Sequence, residues 1–204
     1  GSEMTSQVVR KRYATEKVGN VVVVDGRTQI IEYSDLPVSA AEAVDENGEI
    51  KIWAGSIAVH VLDLAFLRRM SQSADALPFH RANKKVPFVD EKGASVHPEE
   101  PNAIKFEQFI FDLLPTAKNA FVVEVLPNEA FAPVKNADGA ETDTPELARQ
   151  AISELHRRWL EAAGATVDSG VTVEINPRYS LFPEQLAAKI PANLRISDDR
   201  YFDV

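Results

Sequence analysis

Two β-rich runs joined by Asp25-Gly26 constrain the fold more than any other part of the sequence. The first run covers residues 21–24 and consists of valine alone, and the second covers residues 29–33. Asp-Gly between two such runs is a strong hairpin signal, because a tight two-residue turn needs positive φ angles that this pair tolerates. We therefore predict strands at about residues 20–25 and 28–33, paired as an antiparallel hairpin.

A strand and a helix are predicted on the two sides of Ser56. Residues 50–53 have the composition of a strand, and apolar residues recur at helical spacing over 57–69. Ser56 is a suitable N-cap for that helix, so its first backbone N–H groups could meet a ligand. His60 would lie on the apolar face of the helix, where a packed core histidine is a better interpretation than a ligand-binding one.

The middle of the chain predicts a second helix and a further strand. Apolar residues over 102–114 follow a helical pattern that Pro115 ends or kinks. Phe109 and Phe111 are two residues apart and would diverge on a helix, so one of them could form an apolar wall of a pocket, although their spacing alone favours core packing. Residues 121–126 have the composition of a buried strand.

Lys135 follows this strand in a loop that Pro127 and Pro133 restrict. A lysine held in such a loop is a point cation suited to phosphate oxygens, although these residues alone favour a solvated loop lysine. The clearest helix of the chain follows, with Thr144 as its N-cap and a proline at its first position. Strands interleaved with helices indicate an α/β or mixed α+β protein.

Composition excludes several classes of function. The chain has 22 Lys and Arg against 31 Asp and Glu, a formal charge of −9, which argues against a nucleic-acid-coating surface. It has no cysteine, so disulfides, cysteine zinc sites and thiol nucleophiles are excluded and a cytoplasmic location is expected. No apolar run is long enough to cross a bilayer, and we expect no membrane partner. Gly1 to Met4 resemble residues left by an expression tag and are excluded from the fold prediction.

Seven motifs in a fixed order resemble a known family. They are Val18-Gly19, Val24-Asp25-Gly26, Glu32-Tyr33-Ser34-Asp35, Ala54-Gly55-Ser56-Ile57-Ala58-Val59-His60, Lys85-Val86-Pro87-Phe88-Val89-Asp90, Pro101-Asn102-Ala103-Ile104-Lys105-Phe106-Glu107-Gln108-Phe109-Ile110-Phe111-Asp112 and Phe131-Ala132-Pro133-Val134-Lys135-Asn136-Ala137-Asp138. The series closely resembles the second half of eukaryotic-type UDP-N-acetylhexosamine pyrophosphorylases, members of the UTP–sugar-1-phosphate uridylyltransferase family. The resemblance covers residues 18–138 and continues more weakly to Tyr179.

The resemblance implies a fold and a reaction. Residues 5–138 would be the C-terminal half of a Rossmann-like nucleotidyltransferase core with a mixed sheet, and residues 139–204 a small α+β region. The family joins UTP and an N-acetylhexosamine 1-phosphate into a UDP-sugar and pyrophosphate with Mg²⁺. Its Gly-rich nucleotide loop belongs to the first half, which this chain lacks. We therefore expect the Mg²⁺ ligands outside this chain and the isolated chain to be inactive.

The resemblance also implies roles for particular residues. Lys135 matches a lysine that contacts the phosphates. The residues implied on the sugar side are Glu32, which accepts hydrogen bonds from sugar hydroxyls, Tyr33 beside it, Gly19 through its backbone, and Phe109 and Phe111 as the wall of the N-acetyl group. Ser56 stands where the family usually has asparagine. Its hydroxyl is shorter and has one donor, so we expect that sugar contact to be lost or mediated by water.

The alternative is a non-catalytic module that keeps the fold and binds sugar phosphate or a partner chain. The upstream coding sequence distinguishes the enzyme hypothesis from the module hypothesis. A Gly-rich loop encoded there favours the enzyme, and a start codon near Met4 favours the module. A chain that begins within a domain would expose an apolar face. Self-association through that face is therefore expected.

Overall fold

The computed structural model describes residues 1–73 and 75–204, and it contains two compact units, Gly1–Val125 and Leu126–Val204. The division falls earlier in the chain than the predicted domain boundary after Asp138. The first unit contains a five-stranded sheet formed by β1 (Met4–Arg10), β2 (Gly19–Val24), β3 (Arg27–Ile31), β4 (Ala54–Leu62) and β9 (Phe121–Glu124). The strand order in the sheet is β3-β2-β4-β1-β9.

The sheet is mixed, as expected for an α/β protein. β1 and β9 are parallel, while the other neighbouring strands are antiparallel. The hairpin prediction is confirmed, since β2 and β3 pair from Asn20↔Ile31 to Val24↔Arg27. Asp25 and Gly26 have φ angles of 49° and 75°, which are the positive values that the turn requires.

The helix predicted to start at Ser56 is wrong, because Ser56 lies inside β4. The apolar side chains at positions 57, 59 and 61 are β-branched, and they fit a strand that pairs with β1. The helix begins only at α2 (Leu64–Met70), where the Asp63 carboxylate accepts a hydrogen bond from the N–H of Phe66 at 3.0 Å. The expected ligand-binding helix start after Ser56 therefore does not exist.

The helix predicted over 102–114 is also wrong in its first part. β8 (Ala103–Glu107) is a strand paired with β5 (His80–Lys84), and a 3₁₀ helix follows at Ile110–Thr116. Pro115 lies within the 3₁₀ helix and does not end it. The other short elements of this unit are α1 (Val38–Ala41), β6 (Phe88–Val89) and β7 (Ser95–Val96).

The strand predicted over 121–126 is present as β9, but the prediction that it is buried is wrong. All four residues of β9 are exposed, because β9 is the last strand of the sheet in the described part of the chain. Thr5 on β1 has Val61 of β4 and Phe121 of β9 as its neighbours in register. Val61 and Phe121 are 70% and 57% exposed. With Val123, they form an exposed apolar face of the sheet.

The core of the first unit includes Met4, one of the four N-terminal residues left out of the fold prediction. Buried side chains from β1, β3, α2 and the 3₁₀ helix pack together as Met4, Ile30, Phe66, Phe111, Leu113 and Leu114. Glu3 accepts two hydrogen bonds from the Arg69 guanidinium and one from the backbone N–H of Lys118, all at 2.7 Å. These contacts anchor the start of β1 against α2.

The Glu3 carboxylate should make stability depend on pH. The hydrogen bonds from Arg69 and then from Lys118 lower the pKa of Glu3 to about 2 from an ordinary 4.5. Because the pKa of Glu3 is lower in the folded chain than in the unfolded chain, the ionised Glu3 stabilises the fold above pH 4.5. This stabilisation is lost as the pH falls towards 2. The difference in free energy of unfolding between wild type and Glu3→Gln should therefore shrink between neutral pH and acid. Urea denaturation at several pH values measures this difference in the free energy of unfolding. Glu46→Gln, in an exposed turn, is the control. A difference between wild type and Glu3→Gln that does not depend on pH would contradict the prediction.

The second unit is organised around α4 (Pro145–Ala162). Its predicted start is confirmed, since the Thr144 hydroxyl accepts a hydrogen bond from the N–H of Leu147 at 3.2 Å. The remaining elements are α3 (Pro127–Ala130), β10 (Thr166–Val167), β11 (Val173–Ile175), a 3₁₀ helix (Pro183–Gln185), β12 (Arg195–Ile196) and β13 (Arg200–Phe202). β10 pairs with β12 and β11 with β13, both in parallel. Across the described residues, no helix has the length and apolar character needed to span a membrane.

Candidate functional site

The structure brings three of the predicted sugar-side residues together in the first unit. Gly19 and Ser56 are direct partners across β2 and β4. A Cβ atom added to Gly19 would lie 2.7 Å from Ile30 Cγ2, 3.3 Å from Glu32 Oε1 and 3.6 Å from Ser56 Cβ. Any side chain at position 19 would therefore press against Ile30 and the Glu32 carboxylate, and only glycine allows this close approach.

Glu32 is held by the turn that follows β3. Its backbone carbonyl accepts hydrogen bonds from the N–H groups of Asp35 at 2.9 Å and Leu36 at 3.1 Å. The residue is half-buried, and its carboxylate lies beside Gly19. A carboxylate fixed at a strand end in this way can accept hydrogen bonds from ligand hydroxyls.

Tyr33 has a different environment from Glu32. Its side chain is 47% exposed and lines a cavity of about 120 Å³ together with Asn20 and Leu36. Tyr33 therefore follows Glu32 directly in the sequence, but its side chain lines this cavity.

Ser56 is nearly buried at 9% exposure. Its hydroxyl accepts a hydrogen bond from the N–H of Ala58 at 3.3 Å, where Ala58 has a positive φ of 58°. The pairing of β4 with β1 is irregular in this region, since the register shifts between Ser6 and Val8. This bulge interrupts β4 directly after Ser56.

A buried lysine supports the loop before Gly19, although it lies in a run of three basic residues, Arg10, Lys11 and Arg12, whose charge is typical of a solvated edge. Lys11 is 4% exposed, and its ammonium donates hydrogen bonds to Asn20 Oδ1 at 2.8 Å and to the carbonyl of Ala14 at 2.9 Å. Burial lowers the pKa of Lys11, while the nearby Glu16 opposes that shift. These bonds fix residues 11–20, and so the position of Gly19.

His60 lies on β4 and is not helical. Its Nδ1 is 2.8 Å from the Ser6 hydroxyl, and burial lowers the pKa of His60. Its Nε2 is buried without a hydrogen-bond partner among the described residues. A packed histidine remains the best interpretation, although it packs against a strand and not within a helix.

Phe109 and Phe111 lie together, and the prediction that they diverge is wrong. Their rings stack with centroids 4.7 Å apart and an angle of 11° between planes. Phe109 is extended, and only Phe111 lies within the 3₁₀ helix, so the α-helical geometry behind the prediction does not apply. Phe111 packs in the core with Ile30, the residue that also contacts Gly19. The aromatic pair therefore belongs to the same packed cluster as Ile30 of β3.

Lys135 lies in the second unit, in a loop closed by backbone hydrogen bonds. The N–H groups of Lys135 and Asn136 donate to the carbonyl of Asp143 at 2.8 and 3.0 Å. The Asp138 carboxylate accepts a hydrogen bond from the N–H of Glu146, in the first turn of α4, at 3.3 Å. The Lys135 residue itself is exposed. The loop thus presents a cation from a restrained backbone.

The described residues do not form a metal site of their own. Among residues 1–73 and 75–204, no group of three or more His, Asp or Glu side chains could hold a metal ion.

The chain is similar to several known proteins. Residues 1–162 match the family model described as UTP–glucose-1-phosphate uridylyltransferase. The chain is 40% identical over 191 residues to UDP-N-acetylglucosamine pyrophosphorylase of Saccharomyces cerevisiae. The aligned region covers 92% of this chain and 40% of the yeast protein. It is 44% identical over 165 residues to UDP-N-acetylhexosamine pyrophosphorylase-like protein 1 of Xenopus tropicalis, covering 80% of this chain and 32% of that protein.

A solved structure shares the fold at similar coverage. The crystal structure of putative UDP-N-acetylglucosamine pyrophosphorylase from Entamoeba histolytica superposes with a TM-score of 0.82 at 30% identity, over 99% of this chain and 50% of that chain. This chain therefore spans half or less of the relatives described above. Since the family model matches most of its residues, the chain belongs to the UTP–glucose-1-phosphate uridylyltransferase family.

Proposed function

We propose that this chain is the sugar-phosphate-binding portion of a longer uridylyltransferase. That enzyme makes UDP-N-acetylhexosamine, or another UDP-sugar, and pyrophosphate from UTP and a sugar 1-phosphate. The observation that carries the proposal is the convergence of Gly19, Glu32 and Ser56 across β2, β3 and β4. These residues combine a bare backbone, a carboxylate and a hydroxyl, which together suit a ligand rich in hydroxyl groups.

The chemistry of this proposal depends on positioning and charge. A phosphate oxygen of the sugar 1-phosphate attacks the α-phosphorus of UTP, a new phosphorus–oxygen bond forms, and pyrophosphate leaves. Glu32 accepts hydrogen bonds from the sugar hydroxyls and so orients the attacking phosphate. Lys135 neutralises negative charge that develops on the phosphates. Mg²⁺ would supply further charge neutralisation, with ligands outside this chain. The cytoplasmic location of the protein stays a prediction.

The proposal is tested by turnover. We expect the 204-residue chain alone to form no UDP-sugar from UTP and N-acetylglucosamine 1-phosphate, because it spans half or less of the length of the relatives described above. A longer protein that adds a Gly-rich loop upstream of residue 1 should form UDP-sugar and pyrophosphate. Pyrophosphate release measures both. UDP-sugar formation by the pure 204-residue chain would contradict the proposal.

Ser56 should influence which sugar is bound. Asparagine at this position has a longer side chain with two donors, so Ser56→Asn should bind N-acetylglucosamine 1-phosphate more tightly than wild type, by roughly three- to tenfold. NMR titration of the variant, with Ser56→Ala as the matched control and circular dichroism to verify folding, measures the change. Equal affinity in wild type and Ser56→Asn would show that this side chain does not reach the sugar.

A non-catalytic module is the second candidate, and the exposed apolar face of Val61, Phe121 and Val123 bears on it. In the enzyme, the remainder of the longer protein would cover this face. In the module, a partner chain or a second copy would cover it, and self-association stays a prediction. A coding sequence that starts near Met4 would favour the module, and an upstream Gly-rich loop would favour the enzyme.

A further inference from the structure

A buried polar pair, Lys11 and Asn20, lies beside the proposed sugar-binding group, which consists of Gly19, Glu32 and Ser56. The two residues of the pair are 4% and 2% exposed, and the Lys11 ammonium donates a hydrogen bond to Asn20 Oδ1 at 2.8 Å. Because an ammonium has donors only, the amide oxygen of Asn20 must face Lys11 and its NH₂ group must face other partners. Lys11 therefore fixes the direction of the Asn20 amide.

The NH₂ group of Asn20 reaches two backbone carbonyl groups. It donates hydrogen bonds to the carbonyl of Val18 and to the carbonyl of Ile31, both at 3.3 Å. The Val18 carbonyl shares a planar peptide unit with the N–H of Gly19. The Ile31 carbonyl shares another with the N–H of Glu32. One side-chain amide thus restrains the peptide units of two members of the proposed sugar-binding group.

The stem of Lys11 lies against the residue that precedes Ser56. A Cβ atom added to Gly55 would lie 3.3 Å from Lys11 Cγ and 2.8 Å from Val18 Cγ2. The backbone N–H of Lys11 also donates a hydrogen bond to the carbonyl of Trp53 at 2.9 Å, directly before β4 begins. The same lysine therefore restrains the segment that leads to the third member of the group.

We propose that Lys11 and Asn20 are positioning residues for the proposed sugar-binding group. Because both are buried, they act on a bound sugar 1-phosphate through the peptide units of Gly19 and Glu32, and they set the spacing between these two residues. A ligand that contacts both a backbone and a carboxylate loses affinity when their spacing varies, because it then satisfies only one of them at a time. The inference rests on the proposed function and adds two residues to its site.

A purely structural role of the pair predicts a different result, and two substitutions separate the roles. Lys11→Met removes the cation but keeps most of the stem, and Asn20→Leu leaves a buried ammonium without its amide partner. Each single substitution should therefore lower the free energy of unfolding. The double variant Lys11→Met/Asn20→Leu replaces both partners by apolar groups of similar size, so it should recover much of that stability. It still lacks the amide that restrains the two peptide units.

The test measures the affinity of the 204-residue chain for N-acetylglucosamine 1-phosphate by NMR titration, and the stability of the same proteins by urea denaturation. Both single variants and the double variant should bind the ligand about tenfold more weakly than wild type, the scale of one hydrogen bond lost from the ligand. In the double variant, stability should recover while affinity stays low. Glu3→Gln is the matched control, since it loses the contacts with Arg69 and Lys118 and should bind the ligand as wild type does.

Each outcome decides the question. Wild-type affinity in the double variant would overturn the inference and leave the proposed function intact, because it would show that the pair only stabilises the fold. A double variant that does not fold would overturn the inference in the same way, since the pair would then be a requirement of the fold itself. No binding of the ligand by the folded wild-type chain would overturn the proposed function and this inference with it.

Discussion

Replacing Lys135 by methionine in the longer enzyme is expected to lower kcat by roughly 100- to 1,000-fold, the scale seen when one group that stabilises transition-state charge is removed. Methionine keeps much of the length and apolar volume of the lysine stem but removes the cation. The loop is held by its backbone, through the bonds from Lys135 and Asn136 to Asp143. The substitution should therefore leave the loop in place. Pyrophosphate release at saturating substrates measures the effect.

Lys92→Met is the matched control, since Lys92 is an exposed lysine in the turn between β6 and β7. It removes the same charge at a position without a proposed role. Lys135→Arg keeps the positive charge and should retain more activity than Lys135→Met. Equal kcat values for Lys135→Met and Lys92→Met would remove Lys135 from the mechanism.

Replacing Glu32 by glutamine is expected to weaken binding of sugar 1-phosphates by roughly 10- to 100-fold, because a hydrogen bond to a charged group contributes about 1.5–3 kcal/mol. Glutamine keeps the shape of the side chain beside Gly19, so the tight contact there is preserved. One of its terminal atoms becomes a donor and can no longer accept a hydroxyl hydrogen. The loss should be similar for N-acetylglucosamine and glucose 1-phosphates, because both sugars carry ring hydroxyl groups.

Glu42→Gln is the control for this substitution, since it removes one negative charge from an exposed residue near the end of α1. General attraction or repulsion of the anionic ligand would change equally in both variants. A Glu32→Gln chain that binds sugar 1-phosphates as tightly as Glu42→Gln would exclude the carboxylate from the site.

Local signals in the sequence predicted the fold well where one short segment decides the structure. The Asp25-Gly26 turn and the Thr144 cap depend on residues adjacent in sequence, and both are confirmed. Residues 57, 59 and 61 have the two-residue spacing of a strand, but apolar residues from 57 to 69 also fit a helix. Pairing with β1, which lies some 50 residues earlier, decides between the two structures. The burial of β9 likewise depends on the number of strands beside it, which its own composition does not encode.

The candidate site could be predicted only in part for a related reason. The motifs singled out Gly19, Glu32 and Ser56 one by one, and pairing of β2 with β4 explains why they meet. The support of the site was not predicted. Lys11 lies in a run of three basic residues that gives no local sign of burial, and its partner Asn20 lies on the next strand.

The most direct test of the central claim is an NMR titration of the isotope-labelled 204-residue chain with N-acetylglucosamine 1-phosphate. We expect saturable shifts of the backbone amide signals of Gly19, Glu32 and Ser56, because these residues form the proposed sugar-binding group. Glucose 1-phosphate should shift the same signals with weaker affinity. A folded chain whose Gly19, Glu32 and Ser56 signals stay unchanged at saturating concentrations of both ligands would contradict the account.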